Sequence, residues 1–278
     1  MRHRPYLAPL SSNHATQEHP LPDVRIAVQI HPQHADYADI RRAAAEAEEI
    51  GVDVIYNWDH FYPLYGGDPG ANVGKHFECW TMLGAWAEAT ERVKIGALVT
   101  CNSYRNPQLL ADMARTVDVI SGGRLIFGIG SGWFEKDYDE YGYEFGTAIG
   151  RLRALDAAMP IIKDRLANLD PQPTGDLPIL IGGGGEKVTL RIVSEYADIW
   201  HGFGTPEVFA HKSAILDDWC AKSGRDSSAV ERSVGFDPKN FDDLDAYAAA
   251  GADEITIGLN GPNFDMGQVR EAVAWRNG

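Results

Sequence analysis

The chain has 278 residues and a formal net charge of −15, with 44% hydrophobic and 23% charged residues. This is the balance of a globular protein, and its acidity argues against nucleic acid as a partner, because polyanions are bound by basic surfaces. The three cysteines (Cys79, Cys101, Cys220) include no CxxC pair and point to neither a disulfide framework nor a zinc site, and no apolar run approaches the ~18 residues of a membrane span.

Eight short apolar runs follow one another in chain order, at residues 25–30, 53–57, 93–100, 124–129, 178–181, 198–200, 232–236 and 254–258. Residues 1–22 are rich in His, Pro and Ser, lack the apolar centre of a signal peptide, and read as a loose arm before a single domain at 23–278. The first run alternates Ile26, Val28 and Ile30, and a helix at 36–50 stops at Gly51, a C-cap position. The second run ends in Asn57-Trp58-Asp59-His60, followed by a long polar loop at 61–75 and a helix at 76–90. The third leads into a helix at 107–120, with Asn106 as N-cap and Pro107 at its first turn. The fourth ends in Gly130-Ser131-Gly132-Trp133, then an aromatic and acidic stretch to Phe145 and a long helix at 147–169. The fifth ends in Gly182–Gly185, before a helix at 186–196; helices at 206–222, 241–250 and 266–275 follow the last three runs. Strands alternating with helices at this spacing predict βαβ units and a parallel sheet. Eight units in about 250 residues predict a (β/α)8 TIM barrel, with the site at the C-terminal ends of its strands.

Those strand ends carry the candidate residues. Gly182, Gly183, Gly184 and Gly185 lie between a strand and a helix, where glycine costs conformational entropy. Their use there is a run of backbone amides aimed at a phosphate near the positive end of a helix; the bland reading is a tight turn. Gly128, Gly130 and Ser131 in the GIGSG block let a flat ring approach the backbone, although the full dinucleotide fingerprint is absent. Asp59-His60 reads as an acid–base pair or as a hydrogen-bonded corner. His31 and His34 have no evident third ligand, so no metal is expected. No GxSxG elbow marks a serine hydrolase, and Cys101 reads as a buried thiol.

Several blocks, in order, resemble the luciferase-like flavin and deazaflavin oxidoreductases. They are Trp58-Asp59-His60-Phe61, Val93 to Gly96 leading through Thr100 to Arg105-Asn106-Pro107, Ser121 to Leu125, Gly128 to Trp133, Pro178 to Gly185, and Tyr196 to Trp200. The WDHF and GGGG versions are most similar to the branch that uses coenzyme F420, a 5-deazaflavin, in place of FMN. The resemblance implies a barrel enzyme transferring a hydride between F420 and a small organic molecule. It implies His60 as the proton partner and Asp59 beside the ring. It further implies a non-proline cis peptide at Ala97–Leu98 against the ring, Thr100 on the ring edge, and the phosphate on Gly182–Gly185, with Trp200 nearby. The sugar-phosphate dehydrogenases of the family carry a glutamate just after the GxGxG block. Trp133 stands there instead, with Glu135 two residues on, which counts against a sugar phosphate and against a second acid at that place.

Two other readings share the fold. One is an FMN-dependent monooxygenase using reduced flavin and oxygen; a deazaflavin has carbon at position 5 and does not readily add oxygen. The other is a non-catalytic flavin-binding barrel, against which Asp59-His60 speaks. A metal-dependent hydrolase would need clustered His and Asp that only Asp59, His60 and His201 begin to supply. A reducing cytoplasm is the expected setting, a homodimer the family habit, and a small molecule the expected partner. The rings of Tyr62, Tyr65, Trp133, Phe134, Tyr138 and Tyr141 either line an apolar pocket or pack the loops together.

Overall fold

The computed structural model describes residues 24–65, 73–236 and 243–278. The expected N-terminal arm, the middle of the long loop after the second strand and the start of the helix expected at 241–250 lie outside them. Nine parallel strand segments form one sheet: β1 (Arg25–Ile30), β2 (Val54–Asn57), β3 (Lys94–Ala97), β4 (Thr100–Cys101), β5 (Leu125–Gly130), β6 (Ile179–Gly182), β7 (Ile199–Phe203), β8 (Glu231–Phe236) and β9 (Glu254–Leu259). β1 pairs with both β2 and β9, and β3 and β4 both pair with β5, so the sheet closes on itself. β3 and β4 are two pieces of one barrel strand. The result is the eight-stranded parallel TIM barrel expected from the sequence.

Helices α1 (Tyr37–Ile50), α2 (Cys79–Ala89), α3 (Pro107–Ile120), α4 (Glu135–Tyr141), α5 (Ala148–Ala167), α6 (Thr189–Tyr196), α7 (Pro206–Ser223), α8 (Leu244–Ala249) and α9 (Gly267–Arg276) connect the strands. α1 ends at Gly51 in the left-handed region (φ 91), where its amide reaches Ala47 O and Glu48 O. Asn106 caps α3 by accepting from the Gln108 and Leu109 amides. α2 begins three residues later than expected, capped by the Glu78 side chain. α6 likewise begins at Thr189, because residues 186–188 form turns. α4 falls in the aromatic and acidic stretch and was not foreseen as a helix.

The core has two parts. A large apolar layer, including Trp86, Phe127 and Phe209, joins the outer face of the sheet to the helices. A smaller plug inside the barrel holds Ala27, Val54, Tyr56, Leu98, Ile126, Leu180 and Ile199. Above the plug, the third barrel strand breaks. The non-proline cis peptide is Leu98–Val99, one residue beyond the expected Ala97–Leu98. The β2 ladder runs on through Leu98, whose amide donates to Asn57 O at 2.7 Å, so the break falls after it. Val99 then fills the space that side chains on neighbouring strands would use. A Cβ on Gly130 would lie 2.7 Å from Val99 Cγ2, and one on Gly182 3.1 Å from Val99 Cγ1. A Cβ on Gly128 would meet Ala97 O at 1.9 Å. These glycines therefore belong to strands, and β5 and β6 run through Gly130 and Gly182 instead of stopping before them.

Candidate active site

The C-terminal ends of the strands enclose a cavity of about 450 Å³. β2 delivers Trp58, Asp59 and His60 to its wall, the broken third strand delivers Leu98, Val99, Thr100 and Cys101, and β5 delivers Gly130, Ser131, Gly132 and Trp133. Gly182 and Gly183 at the end of β6 line the same space as His60. Asp59, His60, Leu98, Thr100, Gly130, Ser131, Gly182 and Gly183 are thus brought together, as the sequence reading expected. Gly132 has φ 79, and a Cβ there would lie 2.0 Å from the Tyr138 hydroxyl and 2.6 Å from Cys101 Sγ, so the backbone itself forms this part of the wall.

Five expected residues lie outside this wall. Ala97 and Gly128 are buried beneath it, backbone against backbone. Gly184 and Gly185 lie beyond it in the turn toward α6; their amides donate to no acceptor among the described residues. Lys212 Nζ stands over this turn, donating to Gly184 O at 2.6 Å. Trp200 is fully buried, stacked on Phe209 at 5.3 Å, and its Nε1 donates to Gly183 O at 2.8 Å. It is therefore not a cavity residue, because its ring points away to the outer core, and it supports the glycine turn from below.

His60 is half-buried, and its Nδ1 lies 2.7 Å from Asp137 Oδ2. Asp137 is fully buried and accepts also from the Phe61 amide (3.1 Å) and the Tyr104 hydroxyl (3.0 Å). An acceptor-only carboxylate at Nδ1 puts the hydrogen there and leaves Nε2 with its lone pair. The rings of Trp133 and Phe134 stand edge-on to the imidazole at 5.7 and 5.5 Å. Asp137 went unseen in the sequence. The one available signal was an acid inside a run of rings, and only α4 turns it toward β2.

Asp59 is the neighbour of His60 but has a different occupation. Its carboxylate takes both Arg105 nitrogens (2.5 and 3.1 Å) and the Cys101 amide (3.0 Å). Arg105 also donates to Glu78 at 2.6 Å. Of the two expected readings of Asp59-His60, the structure separates the residues: His60 has a free ring nitrogen, and Asp59 is a hydrogen-bonded corner. Thr100 lines the cavity but its side chain is fully buried, and Oγ1 accepts from Trp80 Nε1 of the outer layer at 2.9 Å. Cys101 is the buried thiol expected, 3.2 Å from the Tyr138 hydroxyl.

The opposite wall holds two buried histidines. His31 stacks on Trp58 at 4.2 Å and contacts Asn260 Oδ1 at 3.0 Å. His201 Nδ1 contacts Ser233 Oγ at 2.8 Å. Burial lowers the His31 pKa to about 4 and that of His201 to about 3. No group of His, Cys, Asp and Glu among the described residues is arranged to hold a metal ion. An unfolded histidine takes a proton near pH ~6.5, so below that value the unfolded chain binds more protons than the folded one. Stability is therefore intact above pH ~6.5 and is lost as pH falls toward 4, by up to ~1.4 kcal/mol per pH unit for each of the two histidines. The expected result is a denaturant midpoint that drops steadily from pH 7 to pH 4; a flat midpoint over that interval would contradict it.

A family model described as luciferase-like monooxygenase matches residues 21–249. An F420-dependent glucose-6-phosphate dehydrogenase of Microbacterium testaceum is 29% identical over 206 residues, covering 66% of this chain and 59% of the relative. One of Amycolatopsis mediterranei is 28% identical, covering 57% of this chain and 50% of the relative. The match thus spans only half to three fifths of these curated relatives. A pyrimidine monooxygenase RutA of Stutzerimonas stutzeri is 27% identical, covering 88% of this chain and 69% of the relative. Among solved structures, an F420-dependent secondary alcohol dehydrogenase in complex with an F420–acetone adduct aligns with a TM-score of 0.78 at 17% identity, covering 89% of this chain and 97% of the other.

Proposed function

The chain belongs to the luciferase-like monooxygenase family of enzymes, and from that premise we propose that it is an oxidoreductase that transfers a hydride between coenzyme F420 and a small organic substrate. The observation that carries this reading is the imidazole of His60, held by buried Asp137 in the same cavity as the bare backbone of Gly130, Gly182 and Gly183. A flat ring fits against that backbone at the ends of β5 and β6, beside Val99, which takes the side-chain space of Gly130 and Gly182. The Gly184 and Gly185 amides, at the N-terminal side of α6 and beside Lys212, are suited to its phosphate. Thr100, at the end of the broken third strand, lines the same cavity where the ring edge would lie. When bound, a deazaflavin supplies a ring carbon that accepts or gives a hydride.

The protein's own part is positioning and proton transfer. With Nδ1–H donated to Asp137, His60 presents Nε2 as the base. In the oxidising direction Nε2 takes the hydroxyl proton of the substrate; in the reducing direction it returns one. Imidazolium formed in the first case is stabilised by the Asp137 carboxylate at 2.7 Å. Tyr104 and the Phe61 amide keep that carboxylate from swinging away.

The RutA relatives support a second reading, an FMN-dependent monooxygenase on the same barrel. Fluorescence titration of the protein with F420 and with FMN separates the two. Saturable binding of F420, at least about ten-fold tighter than FMN (~1.4 kcal/mol), is the expected result. The reverse order would overturn the hydride-transfer reading in favour of the second.

A further inference from the structure

The barrel mouth has a second lobe, of about 490 Å³, above the ends of β7, β8 and β9. It shares Gln29, Leu98, His201 and Phe203 with the first cavity, so the two adjoin. Phe203, Phe236 and Tyr247 give it apolar walls. No described residue that lines it is charged.

The lobe follows from the barrel's layers. His201, Ser233, Glu254 and Arg25 are in register across β7, β8, β9 and β1. The layer above is Phe203, Gly235, Thr256 and Ala27. Gly235 puts no side chain into that upper layer, and the Phe203 ring and the His201 imidazole close on its bare backbone beside the lobe. A Cβ on Gly235 would stand 2.9 Å from Phe203 Cδ1 and 3.4 Å from His201 Nε2.

Two polar groups in this wall are left over by the fold. Thr256 is 3% exposed, and its Oγ1 has no hydrogen-bond partner among the described residues. A buried hydroxyl is rarely left without one unless something else completes it. The second group is His201. The Ser233 hydroxyl donates to Glu254 Oε1 at 2.8 Å, and Glu254 accepts further from Tyr56 at 3.1 Å and Arg25 at 3.3 Å. With its hydrogen committed, Ser233 Oγ can only accept from His201 Nδ1, 2.8 Å away. His201 Nε2 is then an acceptor at the floor of the lobe. Burial keeps this imidazole neutral, with its pKa lowered to about 3.

We propose that this lobe binds the part of the substrate remote from the reacting carbon, and that this part is neutral and largely apolar, held by an O–H or N–H donated to His201 Nε2 and by a hydrogen bond to Thr256 Oγ1. Among the described residues, a phosphate or carboxylate there faces a nitrogen lone pair and no counter-charge, and an ammonium faces aromatic walls with no carboxylate to pair with. Naming the occupant a substrate rests on the hydride-transfer reading above; the test uses binding alone.

The probes are 1-phenylethanol, 1-phenylethylamine and phenyl phosphate, which share a phenyl ring and differ in charge. Their dissociation constants are measured by ligand-observed NMR without coenzyme. The neutral alcohol is expected to bind at least about ten-fold more tightly than either charged probe. Thr256→Val removes a hydroxyl that no described residue uses, so it should weaken the alcohol about five-fold while leaving the melting temperature unchanged or higher. Gly235→Val fills the lobe and should abolish binding of the alcohol. Equal or better binding of a charged probe, undiminished binding by both variants, or no binding of the alcohol to the unaltered protein overturns the proposal. Binding of the alcohol without binding of F420 would instead defeat the hydride-transfer reading and leave the chemistry of the lobe standing.

Discussion

Replacing His60 with alanine should lower kcat by about two to four powers of ten, the usual contribution of a positioned acid–base group. Binding of F420 should change little, because the imidazole supplies none of the backbone edges of the cavity. Asp137→Asn is the companion. It keeps the shape of the carboxylate but can present its amide N–H to His60 Nδ1, which then carries the hydrogen at Nε2 and loses its free lone pair. Its kcat should fall most of the way to that of His60→Ala, and the double variant should be hardly worse than either, since the two side chains act as one unit. Stopped-flow reduction of F420 at saturating substrate checks all three. Full turnover by His60→Ala would remove the residue from the chemistry.

Asp59→Ala, one position away, should do the opposite. Asp59 is buried, and its loss leaves Arg105, whose side chain is 10% exposed, without its bidentate partner and the Cys101 amide without an acceptor. Breaking a buried ion pair from one side costs about 3–5 kcal/mol. In a chain of this size that lowers the melting temperature by roughly 10 °C. Calorimetry of the two single variants separates the roles: His60→Ala should melt close to the unaltered protein, and Asp59→Ala well below it. Equal melting temperatures would show that the Arg105 pair is not what Asp59 is for.

The barrel was legible because each βα unit carries its own local signals. The Asn106-Pro107 cap of α3 and the left-handed Gly51 of α1 depend only on near neighbours, and both are found where the sequence places them. Strand ends were less legible. β7 runs on through Gly202, which lies against the Trp200 ring of its own strand, and Phe203; β5 and β6 run on through Gly130 and Gly182, because those two answer Val99 across the sheet and do not mark turns. No local pattern announces a valine from another strand occupying their side-chain space.

The site divides in the same way. His60 and the strand-end glycines could be read from motifs. Asp137 could not, because its pairing with His60 spans 77 positions and depends on a short helix with no apolar period. Trp200 sat in a recognisable block yet faces the outer core, since alternate residues of a strand point to opposite faces. Thr256 and Gly235 carried no signal at all; an orphaned hydroxyl exists only once its surroundings do.

The Val99 side chain and the glycines on β5 and β6 amount to a single mould cast from three segments far apart in the chain. Enlarging any one of those glycines pushes against a residue that cannot retreat without spoiling the floor of the site. Change in this floor must therefore come as matched substitutions on separate strands.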